Sequence, residues 1–148
     1  MTAVRSQQTI TFDGARQALA ASIAHAKDLG LSVCGAVVDS AGQLLAYGRM
    51  DGASLVSAQA AQDKAWTALA FGVATDELWS AIQASSDQIQ TVAAIDRAIV
   101  VAGGLPLLVG ECLAGGIGVS GGTPDQDRAI ADTGRLAINE ALRPVAAT

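Results

Sequence analysis

Residues 101–127, Val-Ala-Gly-Gly-Leu-Pro-Leu-Leu-Val-Gly-Glu-Cys-Leu-Ala-Gly-Gly-Ile-Gly-Val-Ser-Gly-Gly-Thr-Pro-Asp-Gln-Asp, constrain the fold more than any other stretch of the chain. The apolar run from 98 to 119 is nearly long enough to cross a bilayer. Gly103-Gly104, Pro106, Gly110 and Glu111 break it, so it reads as a buried β-hairpin. Gly121 and Gly122 can take positive φ, which would let successive backbone N–H groups converge. Thr123 suits a helix N-cap, Pro124 the first helical position, and Gln126 completes a Thr-x-x-Gln capping box. Such a helix start either receives an anion or needs glycine for its geometry alone.

The remaining elements follow from local pattern. Gln8 to Thr11 reads as a short first strand, and Asp13 as the cap of a helix running to about Leu29, stopped by Gly30. Leu31–Val38 and Gln43–Met50 form a hairpin around the Asp39-Ser40-Ala41-Gly42 turn. A second helix runs from about Ser54 to Phe71. A third begins at Thr75, where Asp76 and Glu77 complement the dipole. Residues 84–94 are polar and fit a loop or a short helix. Ile95–Ala102 and Leu108–Val119 read as the last strand pair, and the final helix spans Pro124 to about Leu142. The order is β-α-β-β-α-α-β-β-α, an α+β fold in a single domain over residues 1–148.

A core in a chain with 51% hydrophobic but only 3% aromatic residues has to be built from Ala, Val, Ile and Leu. Charged residues make up only 16%, leaving a rather apolar surface that suits a homo-oligomer. The net charge of -5 and the absence of a Lys/Arg cluster argue against a nucleic-acid partner. Cys34 and Cys112 fall in expected strands and read as buried free thiols. The start, Met1 to Gln8, lacks the apolar core of a signal peptide, so a cytoplasmic protein is expected, with no membrane partner.

Few residues offer chemistry. His25 is the one histidine and flanks the apolar stripe of the first helix. No cluster has metal-ligand spacing, so no metal site is expected. Ser57, Ala61, Lys64, Ala68 and Phe71 share one helix face, which puts Lys64 on the stripe facing the sheet. A lysine there snorkels, enters a pocket, or pairs with an acid such as Asp51 or Asp39. Arg49 and Asp51 sit together at a strand-to-helix junction, as a surface ion pair or as ligand-binding groups.

Val37-Val38-Asp39, Arg49-Met50-Asp51-Gly52-Ala53, Lys64-Ala65-Trp66-Thr67-Ala68, Gly103-Gly104-Leu105-Pro106-Leu107 and Gly116–Asp127 resemble, in order, the motifs of the GlcG/HbpS-like haem-binding-domain family. A similar domain follows PduO-type corrinoid adenosyltransferases. The resemblance implies a profilin-like domain with a five-stranded, mainly antiparallel sheet, assembling as a dimer, tetramer or octamer. It makes haem or a related tetrapyrrole a possible cofactor. In the segment Ser85–Val92, where the family usually carries an aromatic and sometimes a histidine, this chain has neither Tyr nor His. His25 and Met50 are then the candidate axial ligands, with Tyr47 and the two cysteines the other donors.

Two functions are therefore expected. One is an oligomeric binding protein for a small, anionic molecule, held by Arg49, Lys64, Ser120, Gly121, Gly122 and Thr123. The other is a cofactor-independent isomerase, tautomerase or lyase acting on a small carboxylate in a catabolic pathway. There Lys64 or Asp51 would be the acid/base and Arg49 the carboxylate clamp.

Overall fold

In the computed structural model, which describes residues 2–141, five helices and four strands form an α+β single domain. The elements are α1 (Phe12–Asp28), β1 (Cys34–Asp39), β2 (Leu44–Arg49), α2 (Leu55–Phe71), α3 (Thr75–Ile82), α4 (Ser86–Ala93), β3 (Gly104–Val109), β4 (Cys112–Ser120) and α5 (Pro124–Ala141). The sheet is antiparallel throughout, in the order β2-β1-β4-β3.

The sheet has four strands, where five were expected. Gln8–Thr11 is not a strand: Ile10 donates one bond to the Ala114 carbonyl, and the chain then turns into α1. Thr11, not Asp13, caps that helix, accepting from the Gly14 N–H. Ile95–Ala102 is not a strand either, because helix side chains satisfy its backbone. Thr67 Oγ1 accepts from the Ile99 N–H and donates to the Arg97 carbonyl, and Thr75 Oγ1 donates to the Val101 carbonyl. With those groups occupied and Arg97 at φ 73°, no ladder can form there. The polar segment 84–94 holds α4, capped by Ser85. The order is accordingly α-β-β-α-α-α-β-β-α.

Helices cover both faces of the sheet. On one face α1 and α5 pack over Val33, Val37, Ile117 and Val119, with Ala15, Ala18, Ile130 and Ala131 filling the interface. On the other, α2 lies over β1 and β4, with Ala61 and Ala65 against Cys34, Ala36 and Val38. The small side chains let backbone approach backbone. A Cβ at Gly118 would lie 2.0 Å from the Ala61 carbonyl oxygen, and one at Gly116 would lie 2.3 Å from that of Ala65. Gly116 and Gly118 are thus the seat of α2 on the sheet, while Gly115 faces Ile10. Among the described residues no helix is long and apolar enough to cross a membrane.

Candidate functional site

The glycine nest and Lys64 meet, but as one sealed unit. The alanine-rich stripe of α2 faces the sheet and carries Lys64 with it. The Lys64 Nζ donates to the Val119 carbonyl and to Asp127 Oδ2, both at 3.0 Å. Its partner is Asp127 rather than Asp51 or Asp39, and the two side chains are only 3% and 4% exposed. The other carboxylate oxygen, Asp127 Oδ1, accepts from the Gly122 N–H at 2.8 Å. The capping box forms as expected, with Gln126 N–H to Thr123 Oγ1 and Thr123 N–H to Gln126 Oε1. Of the paired glycines, only Gly121 takes positive φ. The helix start therefore holds the chain's own carboxylate, and the N–H groups of Gly122 and Thr123 are already bonded. Gly103 closes the assembly from above: a Cβ there would lie 2.9 Å from Lys64 Nζ. Among the described residues, Lys64 lines neither the cleft at Arg49–Asp51 nor the groove at the β-turn end, and neither do Ser120, Gly121, Gly122 or Thr123.

Arg49, Met50 and Asp51 come together in a shallow cleft of about 400 Å³, beside Ile23 and Lys27 of α1. Arg49 is not paired with Asp51; its Nη1 donates to the Ala53 carbonyl at 3.4 Å. The Met50 sulfur accepts from the Val33 N–H at 3.4 Å. His25 lies outside this cleft, half-buried between α1 and α5, with Nδ1 2.6 Å from Thr133 Oγ1. At this end of the sheet Ser120 stands opposite Cys34, and Cys34 opposite Arg49. Tyr47 donates to the Cys34 sulfur at 3.9 Å. Burial, reinforced by that bond, pushes the Tyr47 phenol above its ordinary range. Among the described residues no cluster of three or more His, Cys, Asp or Glu could hold a metal ion.

A broader groove lies at the opposite end of the sheet, where both hairpin turns emerge. It is a groove of about 870 Å³ between the N-terminal arm (Arg5–Gln8), the Ser40–Gly42 turn, α2 and the β3–β4 turn. Leu69, Ala70 and Leu113 give it an apolar floor, with Trp66 on one wall. The Trp66 ring is braced by the Arg97 guanidinium, 5.5 Å from its centroid. Asp39 shapes the adjoining turn by accepting from the Ala41 and Gln43 N–H groups. Cys112 opens into this groove: it is a free, exposed thiol, not the buried one expected, while Cys34 is buried and free. The volume falls in the upper part of the range of small-molecule sites, about 300–1,000 Å³. Sequence reasoning missed it because four separated segments build it. The readable signal was the pair of turns, Asp39–Gly42 and Gly110–Glu111, which antiparallel pairing puts at one end.

The family model described as haem degrading protein, HbpS-like, matches residues 10–135. The corrinoid adenosyltransferase PduO of Citrobacter freundii is 37% identical over 132 residues, which are 88% of this chain and 39% of PduO. The chain thus spans well under half of that relative. A crystal structure of the Klebsiella pneumoniae protein ORFY is similar with TM-score 0.90 and 34% identity, covering 97% of this chain and 99% of ORFY. A crystal structure of a PduOC–haem complex is similar with TM-score 0.83 and 34% identity, covering 88% of this chain and 96% of PduOC.

Proposed function

The chain belongs to the HbpS-like family, and from that membership we propose that it is a binding protein for haem or a related tetrapyrrole. The observation that carries the reading is the groove of about 870 Å³, whose size and partly apolar lining of Trp66, Leu69, Ala70 and Leu113 suit such a macrocycle. The likeness to a PduOC–haem complex over most of the chain supports it. The donor set fits: Cys112 offers sulfur within the groove, and Arg5 on its rim offers a cation for a carboxylate side arm. Met50 and His25 are the other axial candidates; Met50 lines the cleft of Arg49 and Asp51, which has less than half the volume, and His25 lies outside both openings against Thr133. A bound haem supplies an iron centre open to ligand exchange and electron transfer; the chain supplies the apolar floor, the cation and the axial donor.

Titration of the purified protein with haemin is expected to give a saturable Soret shift at one haemin per chain. Binding that rises without saturation would overturn the reading.

The protein is also proposed to act in the cytoplasm as a homo-oligomer. Two unpaired cysteines support a reducing compartment. Leu55 and Val56, 89% and 75% exposed at the start of α2, support a covered surface. Light scattering at micromolar concentration should report a dimer or larger; a monomer would refute the assembly.

A further inference from the structure

Resting on the tetrapyrrole reading, we propose that Cys112 is the axial ligand of the bound metalloporphyrin, with Arg5 pairing one of its carboxylates. Three features of the groove carry this. The first is its apolar lining, Leu69, Ala70 and Leu113 with Trp66 beside them, which suits a flat, hydrophobic macrocycle. The second is the position of Cys112 at the first residue of β4, opposite Val109 and next to the β3–β4 turn, where the exposed residue lines the groove. A donor on a strand end, fixed by ladder bonds, is better placed to hold iron than one on a free loop. The third is the state of the competing donors. His25 lies outside the groove with Nδ1 engaged by Thr133, the Met50 sulfur accepts from the Val33 N–H, and Tyr47 bonds to Cys34. All three lie away from the groove, and Cys34 is buried at the far end of the sheet.

Coordination is a ligand exchange with no change of oxidation state. The Cys112 thiol gives its proton to solvent, its sulfur forms a bond to ferric iron, and a water or chloride on the iron leaves. Arg5 makes a charge-assisted hydrogen bond to a propionate.

The test uses haemin with the full chain and three variants, Cys112→Ser, Cys34→Ala and Arg5→Ala. The haem-loaded protein, reduced with dithionite under carbon monoxide, should show the strongly red-shifted Soret band of thiolate ligation. Cys112→Ser should lose that band, and Cys34→Ala should keep it. Arg5→Ala should keep the band and bind haemin roughly tenfold more weakly, the loss of one charge-assisted bond. Bound haemin should also protect Cys112 from alkylation by iodoacetamide, read by mass spectrometry. A saturable complex whose carbon monoxide spectrum lacks thiolate character, or is the same in Cys112→Ser, overturns the ligand assignment and leaves the tetrapyrrole reading standing. Failure of every form to bind haemin saturably removes both.

Discussion

Gly118→Ala is expected to destabilise the fold by about 3 kcal/mol or more, at or beyond the upper end of ordinary overpacking. The added methyl would lie 2.0 Å from the Ala61 carbonyl oxygen and 2.5 Å from the Ala65 nitrogen. Both are backbone atoms in the middle of α2, so no side chain can rotate away. The helix must lift from β4, and with it go the contacts of Ala61 and Ala65 with Cys34, Ala36 and Val38. Gly110→Ala is the matched control. Gly110 has φ 60° in the β3–β4 turn, and nothing lies within 4 Å of its would-be Cβ. Its cost is confined to the left-handed backbone, about 1 kcal/mol. Urea midpoints of the two variants separate the effects. A Gly118→Ala midpoint no lower than that of Gly110→Ala would mean that α2 does not rest on β4 at this distance. Domains of this size are stable by roughly 5–15 kcal/mol, so Gly118→Val should leave little folded protein.

Lys64→Met is expected to cost about 3–5 kcal/mol, the range for removing one partner of a buried ion pair. Asp127 would remain 4% exposed with the Gly122 N–H as its remaining hydrogen bond, and the Val119 carbonyl would lose its donor. The double variant Lys64→Met, Asp127→Leu should recover most of that loss, because an apolar pair of similar volume avoids burying either charge. Urea unfolding of the two single variants and the double gives the coupling directly. A Lys64→Met cost under about 1 kcal/mol would show that the pair is not buried as described. The double variant also divides structure from function. It should bind haemin like the parent, since neither side chain lines the groove. Lost binding in a well-folded double variant would return Lys64 to the ligand site.

The two experiments probe one arrangement from opposite sides. α2 sits close because β4 presents glycine, and that closeness brings Lys64 through to the sheet end where Asp127 waits. Gly103 is then required over the ammonium, as a side chain there would strike the Val119 oxygen at 2.5 Å. The glycines of the 101–127 stretch thus do mainly structural work. The anion at the start of α5 is Asp127 itself, which explains why a nest-like sequence need not mark a ligand site.

Much of the fold was legible because it is local. The α2 face bearing Ser57, Ala61, Lys64, Ala68 and Phe71 follows from helical period alone; the first four are buried, and Phe71, in the last turn, is exposed. The β1–β2 hairpin follows from the turn residues Asp39-Ser40-Ala41-Gly42 set between two strand-forming runs, and the α5 start from its capping box. Periodicity reports which way a side chain faces; it does not report what it meets. That Lys64 meets Asp127, 63 positions on, was decided by how α2 and α5 converge at the end of β4. Ile95–Ala102 has the composition of a strand, yet Thr67 and Thr75 reach it first and take its backbone groups, so no neighbour is left to pair with it. The groove holding Cys112 gathers residues from Arg5 to Leu113, none of which carries a signal on its own. The sequence alone determined the faces, the caps and the turns, since each depends on neighbours within a few residues. The tertiary structure decided partners, the limit of the sheet at four strands and the cavity, since those depend on which distant backbone groups are still free when the elements pack.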